Sequence, residues 1–223
     1  MSLRTLLRRV GLLFLAGSLL AASLCAQERS PSAQELAQSV DRHYDQLHSL
    51  KAGFTENFAG LGMQRTESGT LLLEKPGRMM WQYSSPPGKI FLLDGKYAWF
   101  YTKGDAQVQR IPATELDDLR SPLRFLLGRT KLEKEMSNLT AAAAANGGFL
   151  LTGQPKGQER RVTRLTLTVT AGGAITAIEI EEADGALTRF TFTSEQPDAA
   201  ISPQTFRFTP PPGVPVVDAL PPV

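Results

Sequence analysis

The sequence predicts a mostly antiparallel β-sheet, mainly β with a few helices, in which a covering helix precedes the strands. Three observations carry this prediction. Residues 69–101 divide into four short strands at turn signals in residues 75–77, 86–88 and 94–95. The second half repeats short alternating strands with tight turns, and an amphipathic segment with helical spacing comes before all of them. A sheet of this kind has one apolar face and one wet face.

Aromatic side chains concentrate in residues 69–101, which hold both tryptophans and three of the four tyrosines. Because side chains alternate along a strand, two aromatic-rich sets each share one face of their strand. No cluster of catalytic residue types lies among them, so we interpret this surface as one that holds an apolar ligand. The two sets are Met79, Trp81 and Tyr83 in one strand and Tyr97, Trp99 and Tyr101 in another.

The first 26 residues have the layout of a secretory signal peptide. Arg4, Arg8 and Arg9 form a basic start, residues 10–20 are an apolar run, and mostly small residues follow. The run is too short for a convincing membrane span, so we expect cleavage after Ala26 and export to the periplasm. An N-terminal anchor that stays attached is the alternative. Residues 27–223 are then expected to form a single domain, which is long enough to bury one core.

Without the leader, the chain carries no excess of basic residues. The whole sequence has 24 Lys and Arg and 22 Asp and Glu, and the leader takes three arginines and no acid, which leaves 21 against 22. A nucleic-acid partner would need clustered basic residues, so we predict none. Cleavage after Ala26 also removes Cys25, the only cysteine, and with it any disulfide or thiolate site. Acylation of Cys25 is the alternative, although Leu24 stands where such signals need a small residue.

An amphipathic helix is predicted just after the leader. Ser32 can cap it, and Glu35 three residues later completes a capping box. Apolar residues then recur at spacings of three and four. Two interpretations stay open, since this face can pack on a core or can also line a ligand pocket. Its members are Leu36, Val40, Tyr44, Leu47 and Leu50.

A second helical segment is predicted within residues 113–129. Ser121-Pro122 suits a cap and first helical position, and Gly128 closes a run that is apolar nearly all round. Buried core and a movable lid over an apolar cavity explain this run equally well. Near the C-terminus, a short strand at residues 206–208, three prolines at 210–212 and a last short strand are predicted. Prolines would interrupt a central strand, so this segment belongs at an edge.

The search for catalytic motifs finds no G-x-S-x-G, G-x-G-x-x-G, P-loop or H-E-x-x-H. His43 and His48 are five residues apart in the first helix, so they lie on different faces and do not suit a shared metal ion. The adjacent carboxylates Glu181 and Glu182 point to opposite faces of a strand. We therefore predict that the chain is not an enzyme and holds no metal or cofactor.

Several segments in residues 36–218 carry a family resemblance. After the first helix come SLKAGFTENF, GTLLLEKPGRMMWQY, LLDGKYAWFY, SPLRFLLG and FRFTPPPGVPVVD, in that order. Together they resemble the periplasmic lipoprotein carrier family LolA. The most specific part of the resemblance is the combination of two motifs, K-P-G-R-x-x-W and D-G-K-x-x-W-F-Y. The resemblance implies an incomplete antiparallel β-barrel of about eleven strands, closed by short helices around an apolar cavity for acyl chains.

The resemblance also implies a function. A monomeric periplasmic chaperone would receive cargo lipoproteins from an inner-membrane ABC-type lipoprotein-releasing transporter and hand them to an outer-membrane lipoprotein receptor, without a cofactor of its own. The alternative function is a related periplasmic carrier, or an anchored receptor, for another lipid or amphiphile. An enzyme or a purely structural envelope protein is the third possibility.

Two groups of site residues follow from the resemblance. Family members often carry an arginine where this chain has Lys75, and that arginine ties a lid to backbone carbonyls, so Lys75 and Arg78 are the candidate lid-closing residues. Lysine lacks the planar fork of guanidinium, so this tie would be less specific. Family members often have an aromatic residue where this chain has Met79. A flexible methionine side chain can pack against acyl chains of different shapes. The candidate lipid-binding residues are Val40, Tyr44, Leu47, Met79, Trp81, Tyr83, Leu93, Trp99, Tyr101, Leu123, Leu126 and Leu127.

Overall fold

Twelve strands form one sheet in this computed structural model, which describes residues 30–114, 126, 131–145 and 147–218. The strands alternate with short turns, as the regular turn signals predict. They are β1 Ser49–Gly60, β2 Met63–Glu74, β3 Arg78–Ser85, β4 Pro87–Leu93, β5 Tyr97–Thr102, β6 Val108–Pro112, β7 Met136–Ala143, β8 Phe149–Pro155, β9 Val162–Val169, β10 Ile175–Glu182, β11 Leu187–Pro197 and β12 Val216–Asp218.

The sheet order is β12-β6-β5-β4-β3-β2-β1-β11-β10-β9-β8-β7. Two runs of consecutive hairpins therefore meet where β1 pairs antiparallel with β11. Within the described residues β12 and β7 are the two edges, so the sheet is open. The predicted fold class, mainly β with an incomplete barrel, is confirmed. The implied count is corrected to twelve, because the last three-residue strand adds to the edge and pairs parallel with β6.

Helical segments that accompany the sheet in the described residues include α1 Ala33–Gln46, α2 Leu132–Glu135 and a 3-10 helix at Pro203–Phe206. The predicted capping box begins α1, since the Glu35 N–H donates to Ser32 Oγ at 3.2 Å and the Ser32 N–H donates to Glu35 Oε2 at 2.8 Å. These bonds satisfy amide groups that the first turn leaves free. The apolar face of α1 is buried, which confirms the predicted amphipathic helix as far as Tyr44. The helix ends at Gln46, however, so Leu50 of the predicted face lies in β1 instead. No helix in the described residues is long and apolar enough to cross a membrane.

Register determines which side chains face α1. Met79 pairs with Leu93, and Leu93 pairs with Ala98, so these three residues lie on one face of β3, β4 and β5. That face, called the inner face below, shares one buried apolar cluster with α1. Strands from both hairpin runs contribute to the cluster, which means that the open sheet curls around the helix. The main core therefore lies between the inner face and α1.

The turn between β9 and β10 packs closely against α1. Gly173 has a φ of +89°, and a Cβ built there would lie 2.2 Å from the carbonyl oxygen of Ser39 in α1. Only glycine permits this approach together with a positive φ. Beyond the turn, the backbone N–H of Ile175 donates to the hydroxyl oxygen of Tyr44 at 3.1 Å. The helix is thus fixed to β10 by a buried hydrogen bond as well as by packing.

A second, smaller apolar cluster covers the opposite, outer face of the sheet. Met80, Leu92 and Phe206 form it, with Trp99 and Phe208 packed against it. The predicted short strand at residues 206–208 is wrong, because Phe206 ends the 3-10 helix and residues 207–208 are in no strand. The chain lies across the outer face here and then reaches the sheet edge as β12. The predicted edge position of the proline-rich C-terminal segment is confirmed.

Candidate functional site

The centre of the inner face is an aromatic cluster. The ring centroid of Trp81 lies 4.6 Å from that of Phe54, 5.4 Å from that of Phe190 and 6.0 Å from that of Phe192. Tyr83 extends the cluster, with its ring 5.0 Å from Phe54. Most of these pairs meet edge to face, a favourable arrangement for aromatic rings. Strands β3, β1 and β11, with β2 between the first two, therefore present one continuous apolar surface.

Helix α1 and aliphatic residues complete the same surface. Trp81 is only 2% exposed, so the surface is filled by the chain itself rather than open to water. Among the described residues, those of α1 cover this surface, so a long apolar molecule would have to displace them. The structure brings seven of the predicted lipid-binding residues together in this buried cluster: Val40, Tyr44, Leu47, Met79, Trp81, Leu93 and Leu126. Tyr83 packs against them, and Leu123 and Leu127 lie outside the described residues.

The prediction that Trp99 and Tyr101 share a surface with Trp81 and Tyr83 is wrong. Because Leu93 pairs with Ala98, the inward positions of β5 are Ala98 and Phe100. Trp99 and Tyr101 occupy the alternate positions and point outward. Trp99 stacks on Phe208 at 5.3 Å on the outer face. Its indole N–H donates to Asp94 Oδ2 at 2.7 Å. These two aromatics therefore lie beneath the C-terminal segment.

The aromatic cluster includes residues that were not among the predicted site residues. Phe54, Phe190 and Phe192 contact Trp81 directly, and Phe91 packs beside Phe100 at 4.8 Å. Alternation along each strand indicated that Phe190 and Phe192 share a face. The pairing of β1 with β11, which joins the two halves of the chain, gave no local signal. Without that pairing, these phenylalanines could not be assigned to the site.

Lys75 lies at the C-terminal end of α1. Its ammonium group donates to the backbone carbonyl oxygen of Tyr44, where a helix leaves carbonyl groups free and favours a positive charge. Partial burial lowers the pKa of Lys75. Arg78 instead pairs with Glu74, at 2.6 Å between Nη1 and Oε1. The segment predicted as a lid, residues 121–128, lies outside the described residues except for Leu126, so the lid-closing role stays a prediction.

A charged cluster occupies the inner face where β1 and β2 extend past Trp81. Glu67 accepts from Arg65 Nε at 3.3 Å and from Lys89, and Glu56 accepts from the Tyr83 hydroxyl at 3.0 Å. Glu56 and Glu67 are both buried. Burial, and then the nearby Glu56 carboxylate, raise the pKa of Tyr83 above its ordinary value. The apolar surface therefore ends at a set of two acids and two bases that neutralise one another.

The two histidines have separate partners, and the prediction that both lie in the first helix is wrong, because α1 ends at Gln46 and His48 follows it. His43 Nε2 lies 3.0 Å from Glu195 Oε1, and His48 Nδ1 lies 3.6 Å from Asp198 Oδ1. The backbone N–H of His48 also donates to Asp198 at 2.9 Å, and this bond is the main reason that the pKa of Asp198 is lowered. In the part of the chain that the structure describes, His, Cys, Asp and Glu side chains form no group that could hold a metal ion. Both histidines fasten the end of α1 and the start of β1 to β11 and the loop after it.

A family model and several related proteins match this chain, and all of them are outer-membrane lipoprotein carrier proteins. A family model described as outer membrane lipoprotein carrier protein LolA matches residues 45–209. The outer-membrane lipoprotein carrier protein of Chromobacterium violaceum is 27% identical over 199 residues, which cover 89% of this chain and 95% of that protein. The protein of the same name from Proteus mirabilis is 30% identical over 185 residues, which cover 81% of this chain and 87% of that protein.

A solved structure shares the fold. An uncharacterized conserved protein from Thermus thermophilus aligns with a TM-score of 0.53 and 11% sequence identity. The alignment covers 84% of this chain and 99% of that one. At this identity the likeness concerns the fold alone.

Proposed function

The chain belongs to the LolA family of outer membrane lipoprotein carrier proteins, and on that premise we propose that it carries lipoproteins from the inner to the outer membrane. The acyl chains of the cargo would lie against the inner face. Residues 27–223 would act as one carrier domain in the periplasm after removal of the leader. The role is binding and transfer, without catalysis or a cofactor.

The physical need for a carrier comes from the acyl chains. Each buried methylene group is worth about 0.8 kcal/mol, so several long chains favour an apolar site over water by on the order of tens of kcal/mol. A lipoprotein therefore does not diffuse freely through an aqueous compartment. A carrier has to cover the chains and still release them.

The observation that supports the proposal most directly is the continuous apolar cluster between α1 and the inner face. Its side chains, with Trp81 and the surrounding phenylalanines at the centre, could contact acyl chains in place of α1. Since they are buried, loading would require α1 or Leu126 to separate from the other side chains of the cluster. The bound chains would then replace contacts that the protein makes with itself, which keeps net affinity moderate and release possible.

We propose the partners on the same grounds. Cargo lipoproteins would come from an inner-membrane ABC-type lipoprotein-releasing transporter, which would supply the energy of loading. An outer-membrane lipoprotein receptor would take the cargo by offering a more favourable apolar site. The carrier itself would act as a monomer.

Native mass spectrometry of the protein purified from periplasm, with extraction of bound lipid, tests the carrier role. One triacylated lipoprotein per protein is the expected result. A different bound lipid would favour the alternative of a sibling carrier for another amphiphile. A protein that is empty and also fails to accept lipoprotein from membranes would contradict the proposal.

A matched pair of variants tests the location of the site. Phe91 faces inward beside Trp81, whereas its neighbour Ile90 packs on the outer face, and both are half-buried. Phe91→Gln should weaken binding of a triacylated lipopeptide by about tenfold or more, since a polar group then lies among the chains. Ile90→Gln carries a similar cost to folding and should bind normally. Equal losses in both variants would show that the inner face is not the binding surface.

A further inference from the structure

The β1–β2 hairpin ends in an exposed apolar tip, residues 60–63. Leu61 is 75% exposed and Met63 is 58% exposed, the two largest exposures among the large hydrophobic residues of the described chain. Gly60 and Gly62 are the other members, so no side chain in the tip has an oxygen or nitrogen atom. Exposed apolar side chains on a turn gain nothing in the folded protein.

Leu61 is also an unfavourable residue for the turn it occupies. The tip is a two-residue loop in which Leu61 has a φ of +52° and Gly62 a φ of +75°. Two successive positive φ values favour Asn-Gly, and a leucine at the first position is strained. An asparagine would relieve the strain and the exposure together. Backbone strain and exposure of an apolar side chain therefore both make Leu61 unfavourable within the fold. A contact between Leu61 and an apolar surface outside the protein would offset both.

The tip lies at one end of the sheet and extends well past the paired part of β2 and β3, but only one residue past the paired part of β1 and β11. Pairing of β1 with β11 ends at Ala59, and pairing of β2 with β3 ends at Ser68. Five residues of β2 beyond Ser68 thus lack a β3 partner, a length of about 17 Å. The charged cluster braces the base of this projection, because Lys89 of β4 reaches Glu67 of β2. Gly60 lies beside Ala186 in the turn before β11, whereas the side chains of Leu61 and Met63 are exposed and accessible.

From these features we infer that the hairpin tip inserts into the surface of a lipid bilayer. The apolar side chains of the tip suit the region beneath lipid headgroups, and the polar side chains that follow from Gln64 on suit the headgroup layer itself. The charged and polar side chains along the free edge of β2 disfavour addition of another strand there. Because the acids and bases at the base of the hairpin balance, insertion should depend on apolar burial rather than on attraction to anionic lipids. The carrier would thereby meet membranes directly, in addition to holding cargo.

Flotation of the full mature chain with protein-free vesicles tests this inference. The vesicles contain phosphatidylethanolamine and phosphatidylglycerol, about three parts to one. The unaltered protein should float with them, and raising salt from about 0.1 to about 0.5 M should change the bound fraction little. Leu61→Asn should lower the partition constant about tenfold, the effect of roughly one leucine side chain. Its thermal midpoint should be unchanged or higher, since asparagine suits the turn.

Val216→Thr serves as the matched control, because Val216 is an exposed apolar residue on β12, away from the tip. It should bind vesicles as the unaltered protein does. Equal vesicle binding by Leu61→Asn, or none by the unaltered protein, would overturn the inference. The inference would also be overturned if the tip were needed for binding to membranes that retain their proteins but the protein did not bind protein-free vesicles. That result would indicate a protein partner. Uptake of a detergent-dispersed lipopeptide, measured in the same variants, reports on the carrier role separately and should not change with Leu61→Asn.

Discussion

Replacing Tyr44 with phenylalanine removes one buried acceptor from the contact between α1 and the sheet. The Tyr44 hydroxyl oxygen accepts the backbone N–H of Ile175 at 3.1 Å, and Tyr44 is 2% exposed, so water cannot take its place. A buried donor left without a partner costs about 1–3 kcal/mol. The free energy of unfolding should fall by this amount, and the thermal midpoint should fall by about 2–12 °C in a chain of this size.

The same substitution should strengthen ligand binding if α1 separates from the sheet on loading. The hydrogen bond exists only in the closed form, so Tyr44→Phe raises the free energy of the closed form and leaves that of the loaded form unchanged. Affinity for a triacylated lipopeptide should then rise by the free energy lost from stability, roughly 5- to 150-fold. A loss of stability would accompany a gain of affinity, which a merely damaged protein would not show.

Urea unfolding and lipopeptide titration, performed on the same preparations, provide the assay. Tyr101→Phe removes the same hydroxyl group from the outer face and should change lipopeptide affinity little. If Tyr44→Phe loses stability while its affinity stays the same or falls, then α1 remains on the inner face during loading. The proposed entry of acyl chains between α1 and the sheet would then be refuted.

Three further predictions concern stability. Gly69→Ala should lower the free energy of unfolding by about 1–3 kcal/mol in urea, because the added Cβ would lie 2.1 Å from a carbonyl oxygen of β3. Gly172→Ala is the control and should be near neutral, since the nearest atom to its Cβ is 3.8 Å away. Burial and Glu56 raise the pKa of Tyr83, so the folded state keeps this proton longer than the unfolded state and stability should fall as pH rises above about 10. Thermal midpoints measured against pH should fall less steeply in Tyr83→Phe, and an identical slope would contradict this assignment. Lys75→Met should lose about 1 kcal/mol in urea while Lys75→Arg keeps the donor to α1, and equal losses would show that the bond contributes nothing.

Local features of the fold were predictable from the sequence. The capping box of Ser32 and Glu35 involves residues three apart, and the turns that end β2 and β4 depend on a few adjacent residues. The alternation of Phe190 and Phe192 gave the face that they share. In each case the residues that make the structure are close in sequence, so the pattern of residue types contains the information.

The faces of β5 could not be predicted in the same way. Residues 97–101 are apolar or aromatic on both sides of the strand, and Leu92 and Leu93 make β4 ambiguous as well. Alternation indicates that Trp99 and Tyr101 share a face, but it does not indicate which face is inward. The register across the turn at Asp94 decides that, and it places both of them on the outer face. A shift of one residue would have exchanged the two faces.

The sequence by itself therefore determined the helix, most of the hairpins, the apolar character of the interior and the family to which the chain belongs. Tertiary structure alone decided that β1 pairs with β11, that the phenylalanines of β11 surround Trp81, and that the C-terminal segment covers the outer face. The physical reason is the range of the interactions. Turns and caps form between neighbours in the chain, whereas the site is assembled by contacts between residues more than a hundred positions apart, which depend on how the whole sheet curls around α1.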